Sequence, residues 1–196
     1  MPTIEERRFQ DRELTNEEVQ GSEFRRCRFS GVVFSDDEYT DATFEHCKFL
    51  SCDFSSTRHR NASFRNCDFA GSSLASTRFD TCRLMGSDLS EARLWNVECD
   101  GGNWSYVNLR MQELAGWRAP GIVLRGADLY QADLTGADLT GADLTEANLD
   151  KVKLKDADLR GANLTRTNLA ELVLDKTRLD FEQCVLFAVA HGARVD

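Results

Sequence analysis

Residues 127–149 read ADLYQADLTGADLTGADLTEANL, a run in which Ala, then Asp or Asn, then Leu returns every five residues. Stepping outward from Leu129 in fives, a large apolar side chain stands at almost every stop from Phe24 to Leu179, and no insertion shifts the count. Of these 32 central positions 18 are Leu and 9 are Phe, while Tyr39, His59, Cys99, Trp104 and Ala119 fill the others. Two residues before most centres sits a small side chain, as at Cys27, Ala42, Cys47, Ser72, Thr77 and Ala92. A period of five fits neither the helical repeat of about 3.6 nor the strand repeat of about 2. One such unit cannot bury its apolar residue alone, so the chain must coil and stack, each unit making one side of a turn. Four sides close a square.

The tandem A-(D/N)-L-x-x units resemble the pentapeptide-repeat family over about four-fifths of the chain. That resemblance implies an all-β solenoid, a right-handed quadrilateral parallel β-helix with 20 residues per coil. Eight coils then cover residues 22–181, a rod of roughly 38 Å at the strand separation of about 4.8 Å. Folding by twenty stacks Phe24, Phe44 and Phe64 in one column and Phe29, Phe49 and Phe69 in the next. These aromatic columns read as core, not as a ligand site. Residues 1–21 form an irregular N-terminal coil, because Arg7, Arg12 and Glu17 occupy slots meant for small residues. A bend or bulge is expected near 99–121, where Trp117 and Ala119 exchange the large and small roles beside Gly101, Gly102 and Pro120.

A solenoid grows by repeat count, so 196 residues make one continuous unit. No apolar run reaches the roughly 18 residues of a membrane span, and residues 1–21 are charged, so a soluble, cytoplasmic protein is expected. All seven cysteines are expected at inward positions, as small apolar fillers. No zinc-type C-x-x-C pair is present, and no metal or cofactor is expected. His59 falls at a core position, His46 faces outward and His191 stands at a helix end. Asp128, Asp133, Asp138 and Asp143 lie on successive sides of one coil, which suits turn support better than a catalytic cluster. Thr135, Thr140 and Thr145 likewise fall on three different sides, against a flat ice-binding ladder. With no phosphate loop or convergent catalytic group, the chain reads as a non-enzyme.

From Asp180 the fivefold pattern yields to Asp180-Phe181-Glu182-Gln183, a capping box, and a short α-helix is expected in 181–196, stopping near Gly192. It is apolar nearly all round, which predicts a homodimer through Phe181, Val185, Leu186, Phe187 and Val189. In the family this helix is the dimer contact.

The chain has 33 acidic against 24 basic residues, a formal net of -9, which argues against nucleic-acid binding. By side, the charge is about -3 on the side of Tyr39, -2 on those of Phe34 and Phe29, and +2 on that of Phe24. The uninterrupted repeats and the terminal segment are similar to the mycobacterial fluoroquinolone-resistance branch of the family. That resemblance implies a DNA mimic that binds DNA gyrase, a type II topoisomerase. On that reading the contacts are Asp37, Glu38, Asp41, Glu98, Asp100, Asp138 and Asp158, on the most acidic side. The alternative is a structural interaction scaffold with a different protein partner.

Overall fold

The computed structural model describes residues 2–34 and 38–195. The chain winds into a parallel β-solenoid with a step of twenty residues. One column of rungs runs Thr3, Glu23, Thr43, Ser63, Arg83, Asn103, Val123, Asp143, Asn163, each paired in parallel with the next. Three further columns, offset by five residues each, close the four-sided coil. We number the sides by their centres: side 1 holds Phe24, side 2 Phe29, side 3 Phe34 and side 4 Tyr39.

Burial follows the count of five. Centres and the small residues two before them face inward, and nearly all lie below a tenth exposed. In the N-terminal half the centres are Phe rings stacked one per coil, with centroids 4.9 Å apart for Phe24–Phe44 and 5.0 Å for Phe44–Phe64. Rings on adjacent sides meet edge to face, as in Phe24–Phe29 at 5.7 Å. Both geometries suit the ring quadrupole and add about 0.5–1.5 kcal/mol per pair beyond area burial. His59 replaces a ring in this stack, lying between Tyr39 at 5.3 Å and Phe79 at 5.5 Å.

The small slot has its own chemistry. Ser72, Thr77 and Ser87 donate their hydroxyls to the carbonyls of Phe49, Phe54 and Phe64, 23 residues earlier, at 2.7–2.9 Å. Cys27, Cys47 and Cys67 stack in one column and reach the equivalent carbonyls at 3.4–3.5 Å. Six cysteines are therefore buried as expected, but Cys184 is exposed, because it lies beyond the repeats on the outer face of the terminal helix. At the exchanged pair, Trp117 and Ala119 are both buried, so the indole fills from the small slot the space its centre leaves.

Corners are left-handed. Within the repeats, except at Glu91 and Glu171, the described residue two after a centre has positive φ whether or not it is glycine, for example Arg26 at 52°, His46 at 53° and Gln131 at 58°. Gly102 departs from this by taking φ +101° in the small slot, where a Cβ would lie 2.4 Å from the Cys82 carbonyl oxygen. Where an Asp or Asn precedes the centre, it holds the corner. Its carboxylate or amide oxygen accepts the N–H of the residue after the centre, at 3.1 Å for Asp128–Tyr130 and 3.0 Å for Asp133–Thr135. The Asp series therefore supports turns, as its spacing predicts.

The first coil pairs with the second on three sides, through Thr3–Glu5, Arg8–Gln10 and Glu13–Leu14. Its fourth side is a single helical turn, α1 (Asn16–Val19), whose Val19 is fully buried. At the other end, helix α2 (Phe181–Ala190) begins with the expected box: Asp180 accepts the Gln183 N–H and Gln183 accepts the Asp180 N–H, both at 3.0 Å. Gln183 also donates its buried amide to the carbonyls of Leu159 and, at 2.8 Å, Ala162. Asp180 accepts the Gly161 N–H at 2.7 Å. Two side chains thus cover part of the exposed strand edge that a last coil must otherwise leave open.

The mid-rod irregularity is a slit in side 3. Below it Leu74 N–H bonds the Arg93 carbonyl at 2.9 Å, and above it Leu114 N–H bonds the Asp133 carbonyl at 2.8 Å. Between them, the N–H groups of Leu94, Asn96 and Glu113 make no backbone bond among the described residues. Instead the Gln112 side-chain amide reaches the Ser90 carbonyl at 2.8 Å. A cavity of about 250 Å³ lies between residues 94–98 and 113–118.

Candidate functional site

Three outward positions per side carry the surface chemistry: the residues one before, one after and two after each centre. On side 4 the parallel register sets Glu38, Arg58, Arg78 and Glu98 one above another. The same file continues through Arg118, Asp138, Asp158 and Arg178. The structure thus brings Glu38, Glu98, Asp138 and Asp158 onto one line, with Asp100 two residues along from Glu98 and Asp41 at the corner. Asp37 lies outside the described residues.

Arginines are interleaved with these acids. Arg60 Nε lies 3.3 Å from Glu38, and Arg78 lies 3.2 Å from Glu98 and 2.8 Å from Asp80. Asp80 also takes Arg58 at 2.5 Å. Partial burial pushes the Asp80 carboxyl up, but the hydrogen bonds from Arg78 and Arg58 outweigh it and hold the group below its ordinary value. Asp158 is held low by Arg160, 2.6 Å away, with Arg178 at 3.7 Å. Asp138 is occupied by its own turn, accepting the Thr140 N–H at 3.1 Å and hydroxyl at 2.8 Å. Asp41 accepts the Asn61 amide at 2.6 Å. Glu98 and Asp100 border a shallow hollow with Arg78, Arg118, Pro120 and Asp138. Side 4 is thus an ordered ladder of both signs with an acidic excess. Grouping charges by side found the excess but not the pairing, which a reading by file, residue by residue at steps of twenty, would have exposed.

The terminal helix divides its apolar residues. Phe187 is buried against its own chain, so it is not part of the open surface, and Val185 is half-buried. Phe181 is 81% exposed, and Leu186 and Val189 are about half exposed. Val173 and Leu174 from the last coil, which sequence reasoning missed, extend this apolar end.

Burial sets the protonation of several inward groups. Burial pushes the Cys52 and Cys82 thiols up to about 11 and about 12, and holds His59 down to about 3, so these groups are neutral near pH 7. Among the described residues no group of three His, Cys, Asp or Glu could hold a metal ion. No helix among them is long and apolar enough to cross a membrane.

The model of the family described as pentapeptide repeats matches residues 47–86, 122–161 and 147–186. Full-length QnrB1, a plasmid-mediated fluoroquinolone resistance protein, is 20% identical over 97% of this chain and 100% of that one, with a TM-score of 0.54. HetL, a pentapeptide repeat protein involved in heterocyst differentiation regulation from the cyanobacterium Nostoc sp. strain PCC 7120, is 23% identical over 90% of this chain and 86% of its own, with a TM-score of 0.55. At such identities the likeness is one of fold. No curated protein matches in sequence.

Proposed function

Because the chain belongs to the pentapeptide-repeat family, we propose that it acts through its outer surface, as a DNA-mimicking protein that binds DNA gyrase and competes there with DNA. Fluoroquinolone protection follows from that competition, and the chain is a binder, not an enzyme. The observation that carries this reading is the straight file on side 4, where Glu38, Glu98, Asp138 and Asp158 repeat along a stiff rod. Its shared fold with QnrB1 supports the same reading. A duplex presents a charge about every 1.7 Å, against a formal net of -9 for the whole chain, so the mimicry is partial. The arginine pairs lower it further and fix where the remaining acids stand.

The apolar end formed by Phe181, Leu186, Val189, Val173 and Leu174 suits a twofold homodimer, since a self-complementary patch closes on a second copy. Reversing Glu98 and Asp100 together to Lys is the direct test of the gyrase reading, because neither supports a turn of its own. Binding to gyrase should fall at least tenfold, with supercoiling inhibition lost; unchanged affinity would refute the assignment. The scaffold reading, favoured by the near balance of charge within the file, predicts an interaction that barely responds to ionic strength. Groove mimicry weakens steeply with salt.

A further inference from the structure

We propose that the slit in side 3 is a docking site for an arginine side chain presented by a partner protein. The inference stands whichever protein presents it.

Trp95 marks the place. The position after the centre on side 3 is otherwise filled by Thr15, Ser35, Ser55, Ala75, Ala115, Thr135, Lys155 and Asp175. A lone indole there, 73% exposed while Trp104 and Trp117 are buried, has no part in the core. Tryptophan is one of the residues enriched among those that dominate protein–protein affinity. The cavity beside it has an apolar floor of Leu114, Ala115 and Gly116, and a Cβ added at Gly116 would meet nothing within 4 Å.

Two kinds of acceptor surround this floor. Glu98 and Glu113 both line the cavity. Glu113 has no cation within 4 Å among the described residues and stands in register with Asp133, whose carboxylate is taken by Lys153 at 2.9 Å. Like charges opposite each other on paired strands destabilise, so the position calls for a cation. Arg118 also lines the cavity but lies in register between Glu98 and Asp138, and Lys153, which Glu113 feels only through space, is held at Asp133, so Glu113 has no cation in direct contact. The second kind is backbone. The carbonyls of Glu113 and Ala115 accept no backbone hydrogen bond among the described residues, because the ladder that would use them is interrupted.

A guanidinium matches this set. It carries five donors in one plane, enough for carbonyls and a carboxylate together, and its flat face stacks on an indole. An ammonium is a compact, strongly hydrated point charge and meets fewer of these demands. The apolar stem of arginine would lie on Ala115 and Leu114.

The test uses the full chain, labelled with nitrogen-15 and titrated with N-acetylarginine amide, and separately with the uncharged isostere N-acetylcitrulline amide. Saturable shifts are expected for the Trp95 indole and for the Leu94, Asn96, Glu113 and Arg118 amides, at least tenfold weaker with citrulline. Ala115→Leu, which fills the floor, should abolish them, and Trp95→Ala should weaken binding at least fivefold. An unchanged Trp104 indole signal, from outside the cavity, reports an intact fold in either variant. Equal response to citrulline, no response to arginine, or a response that survives Ala115→Leu overturns the proposal. Gyrase binding is scored separately, so its absence alongside an intact arginine response counts against the gyrase reading alone.

Discussion

His59 shows how one residue sets a pH limit. It is fully buried between two aromatic rings, its Nε2 lies 3.1 Å from the Thr57 hydroxyl, and burial lowers its pKa to about 3 from an ordinary 6.5. The unfolded chain therefore binds a proton between these values that the folded chain refuses. The stability tied to neutral His59 is complete above pH 6.5 and is lost as pH falls toward 3, with a limiting slope of about 1.4 kcal/mol per unit. Urea melts of the wild type and His59→Phe at pH 7 and 4.5 should show the variant losing markedly less. Equal losses would mean that His59 takes up its proton while still folded. The columns on either side, Tyr39 and Phe79, follow from counting by twenty, and so does the burial of His59. Its single hydroxyl partner does not, since Thr57 is an ordinary small-slot residue in the sequence.

Within elements, the terminal helix does more than its capping box requires. Gln183 closes the box with one end of its amide and, with the other, satisfies two carbonyls of the coil below. Gln183→Leu leaves these buried groups unpaired, and each orphaned acceptor costs about 1–3 kcal/mol. The helix should detach before the rod melts, seen as rapid amide exchange across 181–190 while the Phe-centred coils stay protected. Uniform protection in the variant would contradict that order. The box was legible in Asp180-Phe181-Glu182-Gln183. The second contact was not, because it depends on where the last turn of the solenoid leaves its carbonyls. For the same reason Phe187 was counted with the open surface although it packs inward, and Cys184 was counted inward although it faces out.

At the scale of the molecule, the apolar end and the charged side make separable demands. Replacing Leu186 and Val189 by Glu should convert a dimer into a monomer by sedimentation at micromolar concentration, leaving thermal melting of the coils nearly unchanged. A wild-type monomer would remove the twofold assembly. The register was readable from the spacing, since a fivefold count with no insertion admits only one, while the four-sided coil came with the family resemblance. The slit was not, because it arises from backbone rungs that fail to meet while Leu94 and Leu114 keep their places in the count. It also gives the rod a direction of failure. Neighbouring coils hold only each other, so cohesion along the axis is a chain of separate joints. The joint between residues 91–97 and 111–118 lacks part of its bonding. Drawn from both ends under tension, the molecule should part there before any other joint below the last coil, yielding an aromatic-cored segment and a leucine-cored segment in two successive rips. A single cooperative rupture would show that the seam bears as much load as its neighbours.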